Sequence, residues 1–196
     1  MINLSKKHLY NRARDLDPDS YNLSKLSYLQ KIILGTDGTV TQLIESIVGE
    51  PLKLEKLAES DLPQCIGKGA QRRIITLNGA LTGLPYLYAD SLVYHHNMAA
   101  DFSQALLETR MPIGKAWEKF QIETYKTLKH WGFERAATTA KHFVIEPDEL
   151  LLYRTYFVYS QGKIIFEITE KFPCRWFIQA EQLNQQPELS TLVSGI

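Results

Sequence analysis

The chain has 196 residues, 44% of them hydrophobic and 22% charged, proportions that fit a packed globular domain and exclude a disordered or fibrous chain. Lysine plus arginine and aspartate plus glutamate both number 22, so the formal net charge is zero and no basic face nominates the chain as a nucleic-acid binder. The opening residues, MINLSKKHLYNRARDLD, lack the apolar run of a signal peptide, and no stretch approaches the ~20 apolar residues of a membrane span.

A cytoplasmic monomer is therefore the expectation, with a single domain over 1–196 and loosely ordered ends at 1–22 and 178–196. Cys65 and Cys174 stand far apart with no metal-ligand spacing and read as two reduced thiols.

In chain order, Leu23, Leu26, Leu29, Ile32 and Ile33 recur at helical spacing and predict a helix that Gly35 can end. Val40, Leu43, Ile44, Ile47 and Val48 predict a second helix, starting after Asp37 or Thr39 and stopped by Gly49. The short link makes the pair a helical hairpin. Residues 51–71 read as extended or irregular. Arg72–Leu77 and Tyr86–Tyr94 are rich in β-branched and aromatic residues, and the intervening NGALTGLP is loaded with turn formers, which predicts a β-hairpin. Helical spacing returns over Ala99–Thr109, breaks at Met111–Gly114, and resumes from Lys115 to Trp131 with Gly132 as its stop. Leu150–Tyr159 and Lys163–Phe172 flank Ser160, Gln161 and Gly162 and form the strongest hairpin signal, with Pro173 closing the last strand. Hairpins make antiparallel sheet and amphipathic helices must bury one stripe. The expected fold is thus α+β, an antiparallel sheet with helices packed on one face.

The last strand, KIIFEITEKFP, carries the sharpest chemical signal. Alternation puts Ile164, Phe166, Ile168, Glu170 and Phe172 on one face. Glu170 is the one ionisable group on that apolar face, and a carboxylate there needs a cation or a hydrogen-bond donor. Arg72 and Arg73 are adjacent on a strand and so face opposite sides, which aims one of them under the helices. A buried guanidinium grips a carboxylate bidentately. Arg154 is a third candidate, read as a cross-strand surface partner. His95 and His96 point apart on a strand, and His8, His130 and His142 are scattered, so no metal site is read. Neither a Gly-rich phosphate loop nor a GxSxG elbow is present. Pro112, Ile113 and Gly114 taken alone read as a plain boundary between helices.

Four signatures in order, RRI (Arg72–Ile74), YADS (Tyr88–Ser91), PIG (Pro112–Gly114) and ITEKFP (Ile168–Pro173), resemble the chorismate lyase family over roughly residues 70–175, in particular its divergent branch of cyanobacteria, plastids and archaea. The resemblance implies a ligand buried under two helical flaps and a cofactor-free lyase that converts chorismate to 4-hydroxybenzoate and pyruvate, a step towards quinones. It implies that Glu170 is the active-site glutamate beside the product hydroxyl. The carboxylate-binding arginine falls on Arg72 or on Arg73, with Arg72 matching the Arg-x-Ile pattern. Ile113 matches the flap position whose backbone touches the ligand carboxylate, and Gly114 follows it. Where the family segment resembling Gln121–Leu128 usually carries an arginine, this chain has Tyr125. Two other functions stay open at the level of sequence: a non-catalytic aromatic-acid sensor of the same fold, and a lyase for another chorismate-derived acid.

Overall fold

The computed structural model describes residues 26–61, 70–108 and 113–177. The expected arm and tail, together with Cys65 and Pro112, lie outside them. Helix α1 (Tyr28–Gly35) opens on a capping box: the Ser27 hydroxyl accepts from the Gln30 N–H at 3.1 Å and the Gln30 side chain accepts from the Ser27 N–H at 2.9 Å, which satisfies two otherwise orphaned donors. Helix α2 (Val40–Val48) ends on Gly49 in the left-handed region, φ 75°, the expected stop.

Strands β1 (Leu52–Asp61), β2 (Ala70–Gly79) and β3 (Pro85–Tyr94) follow, then helices α3 (Ala100–Glu108) and α4 (Ile113–Phe120), strand β4 (Tyr125–Arg135), a single turn α5 (Ala140–Phe143), and strands β5 (Leu150–Ser160) and β6 (Lys163–Pro173). The strands form one six-stranded sheet in the order β1-β2-β3-β6-β5-β4, with every pairing antiparallel. The α+β architecture is the expected one. Both expected hairpins form, as β2–β3 and β5–β6. The second turns on Gln161 and Gly162, both at positive φ (49° and 76°), the backbone a two-residue hairpin turn demands.

The core over the helix-covered face has two lobes. One gathers Ile33 and Ile44 of the first two helices over Leu77, Leu87, Leu152 and Phe172. The other packs Phe102, Leu106 and Trp117 of α3 and α4 over Val93, Val158 and Phe166. On the opposite face α5 lays Ala140 and Phe143 over Leu151 and Tyr88.

One expectation fails. The helix read from Lys115 to Trp131 stops at Phe120, and Gln121 at φ 50° turns the chain into strand β4. The cause is a bulge. Leu128 lies opposite Tyr156 and Trp131 opposite Arg154, with a register shift between Leu128 and His130. The extra residue puts Leu128 and Trp131 on one face at a spacing of three, which mimics a helical period. The segment at 52–61, read as extended or irregular, is strand β1, whose alternation is likewise broken by a bulge between Lys56 and Ala58. Cys174 is buried, and burial pushes its thiol up to about 12, which leaves it chemically inert. Among the described residues no helix is long and apolar enough to cross a membrane.

Candidate functional site

Between the two core lobes the inner face of the sheet is left partly uncovered, and the reason lies in β3. Its inward residues there are Ala89 and Ser91, cross-strand neighbours of Glu170 and Ile168. Small side chains on the floor, with Ile113 and Trp117 of α4 above, leave a cleft of about 480 Å³, counting the part open to solvent. Thr39 at the start of α2, Tyr156 and Glu170 also line it.

Glu170 is 3% exposed and both its oxygens accept hydrogen bonds. Oε2 takes one from Arg154 Nε at 2.7 Å, and Oε1 takes one from the Tyr156 hydroxyl at 2.9 Å. Arg154 is itself 2% exposed. Its Nη1 donates to the carbonyls of Ile33 and Thr36, so one guanidinium ties the last turn of α1 to the carboxylate. Burial works against the Arg154 charge, yet Glu170 beside it and Tyr156 hold the guanidinium above its ordinary pKa. Burial, reinforced by the charge of Glu170, lifts the Tyr156 hydroxyl well above its usual range, which keeps it a donor. A buried ion pair of this kind is tolerated because geometry and extra hydrogen bonds offset desolvation.

The structure sends the two adjacent arginines to opposite faces of the sheet. Arg72 points away from the helices and grips Asp90 bidentately, Nε to Oδ1 at 2.9 Å and Nη2 to Oδ2 at 2.5 Å. Arg73 lies opposite Ser91, on the cleft side, and is 3% exposed. The YADS segment is thereby divided. Tyr88 and Asp90 serve the outer face, where Tyr88 stacks on His142 at 5.5 Å, and Ala89 and Ser91 floor the cleft. Arg154, read as a surface partner, is instead the ion-pair partner of Glu170. Ile113 is the first residue of α4 and borders the cleft, with Gly114 next to it in the helix.

Sequence reasoning also passed over Tyr156, Lys126, Trp117 and Thr39. Tyr125 stacks on Tyr159 at 4.7 Å and is half exposed, while its neighbour Lys126 faces the cleft. The Thr39 Oγ1, Trp117 Nε1 and Arg154 Nη2 atoms are buried without a hydrogen-bond partner. Buried polar atoms are nearly always satisfied, so the two orphans that line the cleft, Thr39 Oγ1 and Trp117 Nε1, stand out.

Comparison with known proteins places the chain in a family and a fold. A family model described as chorismate pyruvate-lyase, Rv2949c-like, matches residues 34–178. The chain is 27% identical over 151 residues to "Putative lyase MJ0807" of Methanocaldococcus jannaschii, covering 74% of this chain and 78% of that one. It is 24% identical over 161 residues to the chorismate pyruvate-lyase of Mycobacterium leprae, covering 76% of each. Among solved structures, PhnF from Mycobacterium smegmatis superposes with a TM-score of 0.55 at 14% identity, over 74% of this chain and 67% of that one. Its effector domain alone gives 0.52 at 14% identity, over 69% and 88%. At that identity the likeness is one of fold.

Proposed function

Because the chain belongs to the Rv2949c-like chorismate pyruvate-lyase family, we propose that it is a carbon–oxygen lyase splitting chorismate into 4-hydroxybenzoate and pyruvate. The observation that carries the reading is Glu170, a buried carboxylate held by Arg154 and Tyr156 at the edge of an apolar cleft. Arg73, two strands away at the Ser91 end, anchors the ring carboxylate. Glu170 accepts from the ring hydroxyl at the opposite, para end. Ile113 and Gly114, at the start of α4, close over the ligand from above.

The chemistry asks little of the protein. A proton leaves the ring carbon that bears the hydroxyl, its electron pair completes the aromatic ring, and the neighbouring carbon–oxygen bond breaks. Enolpyruvate departs and gains a proton at its methylene to become pyruvate. Atoms and charge balance without a redox partner, so no cofactor enters. The residues contribute orientation, exclusion of water, and a carboxylate placed to receive the proton. The product retains the carboxylate and hydroxyl through which the substrate is held, so slow release and inhibition by 4-hydroxybenzoate follow.

The deciding experiment is incubation of purified protein with chorismate. Equal amounts of 4-hydroxybenzoate and pyruvate are expected, above the spontaneous background. Binding of chorismate without either product would leave an aromatic-acid sensor, and a different aromatic product would name another lyase.

The two arginines offer an internal control. Arg73→Ala should weaken 4-hydroxybenzoate binding by about 2–5 kcal/mol, the loss typical of one partner of a buried charge pair. Arg72→Ala removes only an outer-face pair with Asp90, worth about 0–1 kcal/mol of stability, and should leave affinity unchanged. Titration calorimetry reads both. Matching losses of affinity would reject Arg73 as the anchor.

A further inference from the structure

A second, more polar cavity adjoins the cleft under the turn between α1 and α2. It encloses about 610 Å³, part of it open to solvent, and is bordered by Thr36, Asp37, Lys126, Arg154 and Tyr156. Lys126 and Tyr156 line both spaces, so these side chains stand where the two adjoin. The cavity brings two cations, Lys126 and Arg154, close to Asp37 and to the neighbouring Glu170. Glu170 is matched by Arg154. Asp37 is exposed at the rim, and among the described residues no carboxylate lies within ion-pair distance of Lys126.

Lys126 is placed as an anion-binding group would be. Its ammonium sits over the rings of Trp117 and Tyr156, 5.5 and 5.4 Å from their centroids, and donates to the Gly38 carbonyl at 2.6 Å. The aromatic faces steady the cation while leaving donor capacity for a ligand. Burial lowers the lysine pKa, an effect that Glu170 and Asp37 partly oppose and Arg154 reinforces, and a desolvated ammonium gains more from a carboxylate than a solvated one. The second observation is independent: Arg154 Nη2, on a side chain 2% exposed that borders the same cavity, is buried without a hydrogen-bond partner.

We propose that the polar cavity is a second carboxylate subsite, in which Lys126, aided by Arg154 Nη2, receives the enolpyruvyl carboxylate of the substrate. This rests on the lyase reading above. Across the sheet the groups run Arg73 on β2, Ala89 and Ser91 on β3, Glu170 on β6, Tyr156 on β5 and Lys126 on β4. Four strand spacings of ~4.8 Å separate the backbones of Arg73 and Lys126 by roughly 19 Å, a gap that two long side chains and a dianion between them can fill. A molecule with a carboxylate at each end and a hydroxyl between them matches that sequence of groups. A monocarboxylate reaches only the first.

The test contrasts two ligands on three proteins: wild type, Lys126→Met and Lys126→Arg, each checked by melting temperature. Lys126→Met keeps an unbranched chain against Trp117 and Tyr156. It should lower kcat/KM for chorismate on the order of 10- to 100-fold, the scale of one charge-assisted hydrogen bond. The Kd for 4-hydroxybenzoate, which lacks the second carboxylate, should stay within about threefold by the same reasoning. Lys126→Arg should recover most of the loss. Unchanged kcat/KM in Lys126→Met, equal losses for both ligands, or an arginine variant no better than methionine would each overturn the subsite. If wild type binds chorismate without forming product, the lyase reading falls and the same contrast is read from the Kd for chorismate. If it binds neither ligand, both ideas fall.

Discussion

Glu170→Gln is expected to reduce chorismate turnover by about 10²–10⁴, the usual worth of a positioned acid or base. Glutamine keeps the shape and one acceptor oxygen but cannot take a proton. The substitution also removes the anion against which Arg154 Nε donates at 2.7 Å, so the variant should melt lower and must be assayed well below its transition. Affinity for 4-hydroxybenzoate should fall less, by about 1.5–3 kcal/mol for one charge-assisted hydrogen bond made neutral, because the Arg73 contact is untouched. Single-turnover kinetics and calorimetry on the same preparation separate the two effects. Turnover near wild type in a folded Glu170→Gln protein would make the carboxylate purely structural and return the proton transfer to the substrate itself.

The second large effect is on stability. Arg154→Met is expected to cost about 3–5 kcal/mol, the penalty for leaving one member of a buried ion pair alone. Glu170 would stay 3% exposed in the native structure with its Tyr156 bond but without its cation, and the carbonyls of Ile33 and Thr36 would lose a donor. In a domain of this size, at about 2–4 °C per kcal/mol, the melting temperature should drop by roughly 6–20 °C. The double variant Arg154→Met with Glu170→Gln removes both charges. It should recover a substantial part of the loss, since the interaction of neighbouring sites is not additive. A single-variant cost under about 1 kcal/mol, the range of an exposed pair, would mean that water reaches the pair. Simple additivity in the double variant would mean that the two charges do not stabilise each other.

Much of this site was legible in the sequence. The alternation of KIIFEITEKFP puts one carboxylate on an apolar face, and in the structure Phe166, Ile168, Glu170 and Phe172 are all buried. Adjacent arginines on a strand guarantee that one faces inward. What alternation cannot say is which one, because that depends on where β2 starts and on its pairing with β3, which sets Arg73 opposite Ser91 and frees Arg72 for Asp90.

Arg154 shows the limit most plainly. From the tight turn, Ser160 pairs with Lys163 and Tyr159 with Ile164. Continued without interruption, that register would bring Arg154 opposite Thr169. A bulge between Val158 and Tyr159 shifts the pairing by one residue, and Arg154 meets Glu170 instead. A slip of one residue exchanges the faces of a strand. The two apolar faces of LLLYRTYFVY, one under the helices and one under Phe143, hide that choice from any periodicity argument.

The same holds for β4, where a bulge disguised a strand as a helix and so concealed Lys126 beside the cleft. Short-range patterning, turn chemistry and helix caps were decided by the sequence alone, because each rests on backbone sterics and hydrogen bonds within a few residues. The register of the sheet, and with it the meeting of Arg154, Tyr156 and Glu170, was decided only in the tertiary structure, because bulges are chosen by packing between distant segments.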